Sequence, residues 1–128
     1  MQPNFSWDVE NYKDRLGADV EKINPFRSIL DGDVELIFGS DDMPSTPLKD
    51  IAWATTDVPF LNQKITFKEA LDAYTIKPAK VAGRLRGKFA KGYMANFIVF
   101  EENPLEILAG ETRIPSVKET WIQGVKVF

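Results

Sequence analysis

The stretch that decides the fold of this chain covers residues 34–44 and reads VELIFGSDDMP. Its first five residues include four apolar ones, a pattern typical of a strand that is buried on both faces in a parallel sheet. Two adjacent carboxylates, Asp41 and Asp42, follow directly after Gly39 and Ser40. Active sites of α/β enzymes lie at the carboxyl ends of such strands. The stretch therefore predicts an α/β fold that presents an acid at the end of a buried strand.

Helical patterns flank this stretch on both sides. Ahead of it, a helix is predicted to end at Gly17, and Asn24-Pro25 predicts a second helix with Asn24 as its cap. Behind it, Thr46-Pro47 opens a third helix, and Thr66 with Glu69 forms a capping box that starts a fourth. Helices alternating with a buried strand are the pattern of an α/β fold.

The character of the sequence changes after Gly83. A basic, glycine-punctuated segment leads to three short strand patterns, around residues 96–100, 120–122 and 125–128, with a hairpin turn at Gln123-Gly124. We therefore predict two parts: an α/β region over residues 1–83 and part of a small antiparallel β domain over residues 84–128. Such a small sheet needs another layer to bury one face.

Composition excludes several function classes. The chain has 128 residues, of which 44% are hydrophobic, and this is typical of a globular protein. A net charge of −3 argues against nucleic acid as a partner, because phosphate binding needs a basic face. No apolar run approaches the roughly 20 residues that span a bilayer. The first residues lack the pattern of a signal peptide, so we expect a cytoplasmic protein without a membrane partner.

Two residue types that often carry chemistry are missing. The chain contains no Cys, which excludes disulfides and thiolate nucleophiles, and it contains no His. An acid at a strand end is therefore without the His and Cys residues that usually bind a metal together with it. The basic residues Arg84, Arg86, Lys88 and Lys91 could form an anion patch, but the acidic chain favours a solvated linker.

Several motifs, taken in order, resemble one known family. They are Gln2-Pro3-Asn4-Phe5, Gly39-Ser40-Asp41, the run TFKEALDAYT at residues 66–75, the run GYMANFIVF at residues 92–100 and the closing run TWIQGVKVF at residues 120–128. Their order and spacing are similar to the carboxyl-terminal part of the metal-dependent amidohydrolase superfamily, in its deformylase-like and imidazolonepropionase-like subgroup. The resemblance covers nearly the whole chain but only the last part of a family member.

The resemblance implies a (β/α)8 barrel that holds one or two divalent metals, usually zinc, beside a small β domain. Residues 34–38 would be the last barrel strand, and Asp41 would match the family's acid, which ligates the metal and shuttles a proton. A metal lowers the pKa of bound water to about 7, and a neighbouring carboxylate can accept its proton. The family's other ligands, mostly His, come from earlier strands. Asn96, where the family usually has Asp, lies in the β domain.

The residues themselves leave alternatives open. Asp41 and Asp42 could form a solvated turn, since Asp is common in turns. Gln2-Pro3-Asn4-Phe5 could line a substrate pocket or only pack against a barrel loop. The chain could be a fragment or split subunit of the hydrolase, inactive and without metal when alone, whose partner is itself or the missing N-terminal portion. It could instead be a non-enzymatic truncated module that self-associates or binds a partner.

Overall fold

The computed structural model describes residues 1–43, 45–56, 62–105 and 114–128, without the side chains of Ser6 and Trp7. The chain divides into two compact units, Met1–Tyr74 and Thr75–Phe128, which we call the first and second units. The domain division that we predict after residue 83 stays a prediction. Among the described residues, no helix is long and apolar enough to cross a membrane.

Short helices build the first unit. In chain order they are a 3-10 helix Pro3–Asp8, α1 Val9–Leu16, a 3-10 helix Gly17–Lys22, α2 Phe26–Asp31, α3 Pro47–Thr55 and α4 Phe67–Tyr74. Helix α3 packs against α4 and against the 3-10 helix Pro3–Asp8. Two of the predicted helix starts are confirmed in atomic detail. The Thr46 hydroxyl accepts the Lys49 N–H, and Thr66 and Glu69 bond reciprocally as a capping box.

The core of the first unit is centred on Phe38. Its ring meets Phe26 and Tyr74 edge-to-face, with centroid distances of 5.1 Å and 5.4 Å, an arrangement that the ring quadrupoles favour. The buried apolar residues of this unit are Val20, Phe26, Leu36, Phe38, Ile51, Ala54, Ile65, Ala70 and Ala73. The small alanines of α3 and α4 let the helices approach closely, while the aromatic rings fill the remaining space.

The strand that we predict over residues 34–38 is not formed as such in the structure. Leu36 and Phe38 on one face are buried, whereas Glu35 and Ile37 on the other face are exposed and half-buried, so one face of the segment is covered and not both. The neighbour along its edge is Met1, which donates to Ile37 O (2.7 Å) and accepts the Gly39 N–H (3.1 Å). These two bonds around Phe38 have the pattern of a parallel ladder, but one pair does not make a strand.

A second correction concerns the start of α2. Asn24 makes no capping bond, and Pro25 occupies the cap position instead. Asn24 has φ +52°, a left-handed conformation that Asn tolerates better than most residues, and its side chain is buried. Its amide Nδ2 donates to Gln2 O at 3.3 Å. The residue therefore joins the start of α2 to the amino-terminal segment.

The second unit is a short helix followed by an antiparallel sheet. Its elements are α5 Ile76–Val81, β1 Phe97–Phe100, β2 Val117–Ile122 and β3 Val125–Lys126, in the sheet order β1-β2-β3. Phe97 pairs with Trp121 and Ile98 with Thr120, and an irregularity lies between Val99 and Phe100. The predicted antiparallel sheet is thus confirmed for the described residues.

The predicted hairpin turn is also confirmed. Gln123 and Gly124 lie between β2 and β3 with φ values of +52° and +78°, the signs required at both centres of a type I′ turn. The Asn96 side chain helps to hold this turn, because its Oδ1 accepts the Gln123 N–H at 2.7 Å. This contact gives Asn96 a structural role, as expected for a position in the β domain.

Candidate functional site

Asp41 and Asp42 occupy the two central positions of a tight turn, residues 40–43, which we call the Asp41 turn. Their φ values are +54° and +60°, and the Met43 N–H donates to Ser40 O at 3.1 Å. Two successive non-glycine residues in the left-handed region are uncommon, although Asp tolerates it better than most. Both carboxylates are exposed. The turn therefore presents its acids to solvent at some cost in backbone energy.

The structure brings two of the sequence motifs to the same edge. Met1 lies parallel to Phe38 through the two backbone bonds described above, so the chain leaves both residues in the same direction. One path continues into Gln2-Pro3-Asn4-Phe5 and the other into Gly39-Ser40-Asp41. The carboxyl ends of parallel segments are where α/β folds collect functional groups. Because the predicted strand is not formed, the position of Asp41 at a strand end stays a prediction.

Asn4 does not face open space at this edge. It is 1% exposed, and Pro3 beside it is also fully buried. Among the described residues, neither amide atom of Asn4 has a hydrogen-bond partner. A buried amide without partners costs about 1–3 kcal/mol. The arrangement agrees with the packing interpretation of the motif better than with a pocket wall. This burial was not predictable from the sequence, because an isolated Asn is usually exposed.

Asp50 carries a buried carboxylate, and it was not among the site residues predicted from the sequence. It lies on α3 and is fully buried. Its carboxylate accepts hydrogen bonds from the Ser45 hydroxyl and from the Tyr74 hydroxyl. Burial, together with the bond to Asp50, raises the pKa of Tyr74, so this hydroxyl keeps its proton and remains a donor. Nothing local in the sequence marks Asp50, because its partners lie outside its own helix.

A separate ion pair joins α2 to α4. Arg27 Nη1 lies 3.0 Å from Glu69 Oε1, and Arg27 also reaches Asp31 on its own helix. The pKa of Glu69 is held below its usual value, first by the Thr66 backbone N–H of the capping box and also by Arg27. The hydrogen bond that Arg27 donates to Glu69 raises the pKa of Arg27. The pair fastens two helices and lies apart from the Asp41 turn in sequence and in bonding.

The described residues do not fit a resident metal. Among them, no group of three or more His, Cys, Asp or Glu side chains could hold an ion. Structural and catalytic zinc sites use three or four protein ligands, mostly His and Cys, and this chain contains neither residue. Asp41 alone offers one carboxylate. The role of Asp41 as a metal ligand stays a prediction.

Four basic residues of the second unit belong to the segment that we interpret as a solvated linker. Arg84, Arg86, Lys88 and Lys91 all face solvent, and the Lys88 ammonium lies over the Tyr93 ring, 4.6 Å from its centroid. Such a cation–π contact stabilises the ammonium group without a bound anion. The arrangement agrees with the predicted solvated linker.

Comparison with known sequences identifies the family. The model of the Amidohydrolase family matches residues 1–128. The N-substituted formamide deformylase of Arthrobacter pascens is 32% identical to this chain over 114 residues. That alignment includes 81% of this chain and only 21% of the deformylase. The chain thus spans about a fifth of the length of this relative.

Comparison with solved structures gives the fold. An enamidase, a member of the amidohydrolase superfamily, superposes with a TM-score of 0.65 at 22% identity, over 84% of this chain and 31% of the enamidase. The ochratoxinase of A. niger superposes with a TM-score of 0.60 at 24% identity, over 88% of this chain and 25% of the ochratoxinase. Such a likeness supports the fold alone. Because the family model covers every residue, the chain belongs to the amidohydrolase family.

Proposed function

We propose that this chain is a fragment or split subunit of a metal-dependent amidohydrolase that hydrolyses non-peptide carbon–nitrogen bonds. It would contribute the last strand of a (β/α)8 barrel, the acid Asp41 and part of the small β domain. The observation that carries the proposal is the family match over residues 1–128 in a chain that spans only 21% of its deformylase relative. The parallel bonds of Met1 around Phe38 support a barrel-strand origin for residues 34–38.

The chemistry that this chain brings to the reaction is that of one carboxylate. Asp41 is exposed at the end of its segment, where its oxygens can accept a proton from water and return it to a leaving nitrogen. Family members are usually metal-dependent, with zinc the expected ion, and the described residues do not supply a full ligand set. The other ligands would therefore come from another segment or chain. By itself this chain would be catalytically inert.

The role of Asp41 is tested by assembling the chain with the segment that carries the remaining barrel strands. Asp41→Asn should then lower hydrolysis of an N-substituted formamide by about 10²–10⁴-fold, the usual contribution of a positioned acid–base group. Asp42→Asn is the matched control, since Asp42 is the neighbouring exposed carboxylate in the same turn. Equal activity of the two variants would refute the role of Asp41.

The partner that we propose is either the missing N-terminal portion or a second copy of the chain. The second unit exposes many large apolar side chains, among them Val81 (70%), Phe89 (84%) and Phe128 (67%). Exposed apolar residues and unpaired strand edges favour association. Sedimentation at increasing concentration should show self-association, or its loss when the N-terminal portion is added. A stable monomer at high concentration that binds no hydrophobic dye would contradict this proposal.

A second candidate function is a non-enzymatic module derived from the same family. It is favoured by the absence of a metal-binding group among the described residues together with the exposed apolar side chains of the second unit. The two candidates differ in what is encoded upstream. A reading frame that supplies the missing strands and their His ligands would support the hydrolase, and its absence would favour the module.

A further inference from the structure

Asp50 is an unusual residue to bury. It has no exposed surface, and the donors that the described residues offer to it are two neutral hydroxyls, Ser45 Oγ and Tyr74 OH. No ion pair of the described part includes it. A buried carboxylate without a cation is expensive, and an apolar residue of similar size would stabilise the fold at least as well. Stability alone therefore does not account for Asp50.

The two hydroxyl partners lie on opposite sides of the Asp41 turn. Ser45 follows Asp41 in the loop that leads into α3. Tyr74, the last residue of α4, contacts the ring of Phe38, which precedes Asp41. In addition, Phe38 N–H donates to Ala73 O at 3.0 Å. Asp50 thus connects the segment that enters the turn, through Tyr74, with the segment that leaves it.

The turn needs such external support. Two consecutive residues at positive φ cost roughly 1 kcal/mol or more each, and such conformations persist where the surrounding structure determines them. Within the turn, one backbone bond closes the loop, from Met43 N–H to Ser40 O. Both central side chains are exposed and give no packing support. The direction of the Asp41 carboxylate therefore depends on how firmly the two flanks are held.

We propose that Asp50, Ser45 and Tyr74 form a positioning bracket that fixes the Asp41 turn and so the direction of the Asp41 carboxylate. The bracket deepens the proposed function, because its purpose rests on the role assigned to Asp41. Asp50 is a positioning residue: it acts through two hydroxyl groups on the backbone that carries the acid. A carboxylate suits this task because it accepts two hydrogen bonds at once, which neither a leucine nor an alanine could do.

Amide hydrogen exchange of the whole chain, followed by NMR, tests the bracket without using activity. Ser45→Ala and Tyr74→Phe each remove one hydroxyl and leave the packing in place. Each should raise the exchange rate of the Met43 amide about tenfold, since hydrogen bonds to charged groups are the stronger class. The amides of Ile51 and Ala54 on α3 should change less than about twofold, because they lie outside the turn. Tyr12→Phe is the matched control, since its ring meets Phe5 edge-to-face and lies outside the bracket.

Rescue and coupling separate positioning from general destabilisation. Ser45→Thr keeps the hydroxyl and should restore protection of Met43 to the wild-type rate. In the double variant Ser45→Ala/Tyr74→Phe the effects should combine non-additively, because both act through the same carboxylate. A Met43 amide that exchanges unchanged in both single variants would overturn the bracket. So would a uniform rise over all amides, which would show a structural role only.

The outcomes also distinguish the bracket from the proposed function. If Asp41→Asn leaves the assembled hydrolase fully active, the role of Asp41 fails, while the exchange data still report whether the turn is held. If Asp41→Asn abolishes activity but Ser45→Ala changes neither the exchange rate of the Met43 amide nor kcat, the proposed role of Asp41 is supported and the bracket is refuted. For a positioning role, Ser45→Ala should lower kcat with little change in KM, since the bracket holds the acid and not the substrate.

Discussion

The two units of this chain differ in how they use their apolar residues. The first unit buries Phe26, Phe38 and Ile51 to 5% exposure or less, and a carboxylate, Asp50, is sealed beside them. In the second unit, Ala79 is the one buried hydrophobic side chain among the described residues, apart from Pro115. Yet the second unit has the more regular hydrogen bonding, with a three-stranded sheet and a defined turn.

The difference shows that regular backbone hydrogen bonding between strands can form without a buried apolar core. Cross-strand contacts such as Phe97 stacked on Trp121, at 5.4 Å, fix the register of the sheet, although no residue of its three strands is fully buried. A three-stranded sheet gains stability only when another layer buries one face. The first unit has its layers already, in α3, α4 and the segment around Phe38. We therefore expect mutations to affect the two units very differently.

The largest contrast should come from removing one aromatic ring in each unit. Phe38→Ala should lower the free energy of unfolding by about 3–5 kcal/mol, because the cavity lies among the rings of Phe26 and Tyr74. Phe128→Ala removes a ring that is 67% exposed, and it should change the free energy of unfolding by less than about 0.5 kcal/mol. Urea denaturation followed by circular dichroism measures both. A similar cost for the two variants would show that the second unit buries its apolar surface after all.

A pair of glycines in the second unit tests whether any part of that unit is tightly packed. A Cβ on Gly87 would lie 2.5 Å from Thr75 O, whereas one on Gly92 would meet no described atom within 4 Å. The two glycines have φ values of +89° and +87°, so backbone strain is matched. Gly87→Ala should cost about 1–3 kcal/mol more than Gly92→Ala, from overpacking against backbone. Equal unfolding midpoints in urea would mean that the backbone around Thr75 shifts to accommodate the added methyl group without a loss of stability.

The smallest effect should be the pH dependence that Glu69 gives to the first unit. The pKa of Glu69 is lowered in the folded chain, so its stabilising contribution is present above the ordinary value near 4.5 and is lost as pH falls through the lowered value. Glu69→Gln should reduce the difference in stability between pH 7 and about pH 3. The side chain is 33% exposed, so solvent screening keeps the effect below about 1 kcal/mol.

The control for this measurement is Glu10→Gln. Glu10 pairs with Lys13 on α1, and its side chain is 82% exposed. Exposed pairs of this kind contribute little to stability. The two variants are compared by urea unfolding at each pH. If Glu10→Gln flattened the pH dependence as much as Glu69→Gln, the capping box and the contact with Arg27 would not be its source.

Local rules predicted those parts of the fold that short segments determine. The capping box of Thr66 and Glu69, the Thr46 cap and the Gln123-Gly124 turn depend on residues within four positions of each other. The capping box was predicted with both of its partners, and the Thr46 cap and the turn were predicted at their correct positions. The run of apolar residues at Phe97–Phe100 similarly located β1.

The parts that local rules missed depend on distant partners. Residues 34–38 have the composition of a strand, but a strand exists only beside a hydrogen-bonded neighbouring strand. In the described part of the chain, Met1 forms one parallel pair around Phe38, and the Phe38 N–H donates to Ala73 O in helix α4. Asn24 was predicted as a cap, and instead its amide reaches Gln2 O, 22 residues away. Asp50 shares its carboxylate with Tyr74, 24 residues away. The role of Asp41 stays a prediction, since a turn on its own does not reveal what its carboxylate does.

The measurement that tests the central claim most directly is a calorimetric titration of the chain alone with zinc. If the chain supplies one ligand, Asp41, to a site completed elsewhere, it should bind zinc no more tightly than about millimolar, because a stable site needs three or four ligands. Asp41→Ala should then leave the titration unchanged. Stoichiometric binding in the micromolar range that is abolished by Asp41→Ala would contradict the account, since the chain would then form a histidine-free metal site of its own.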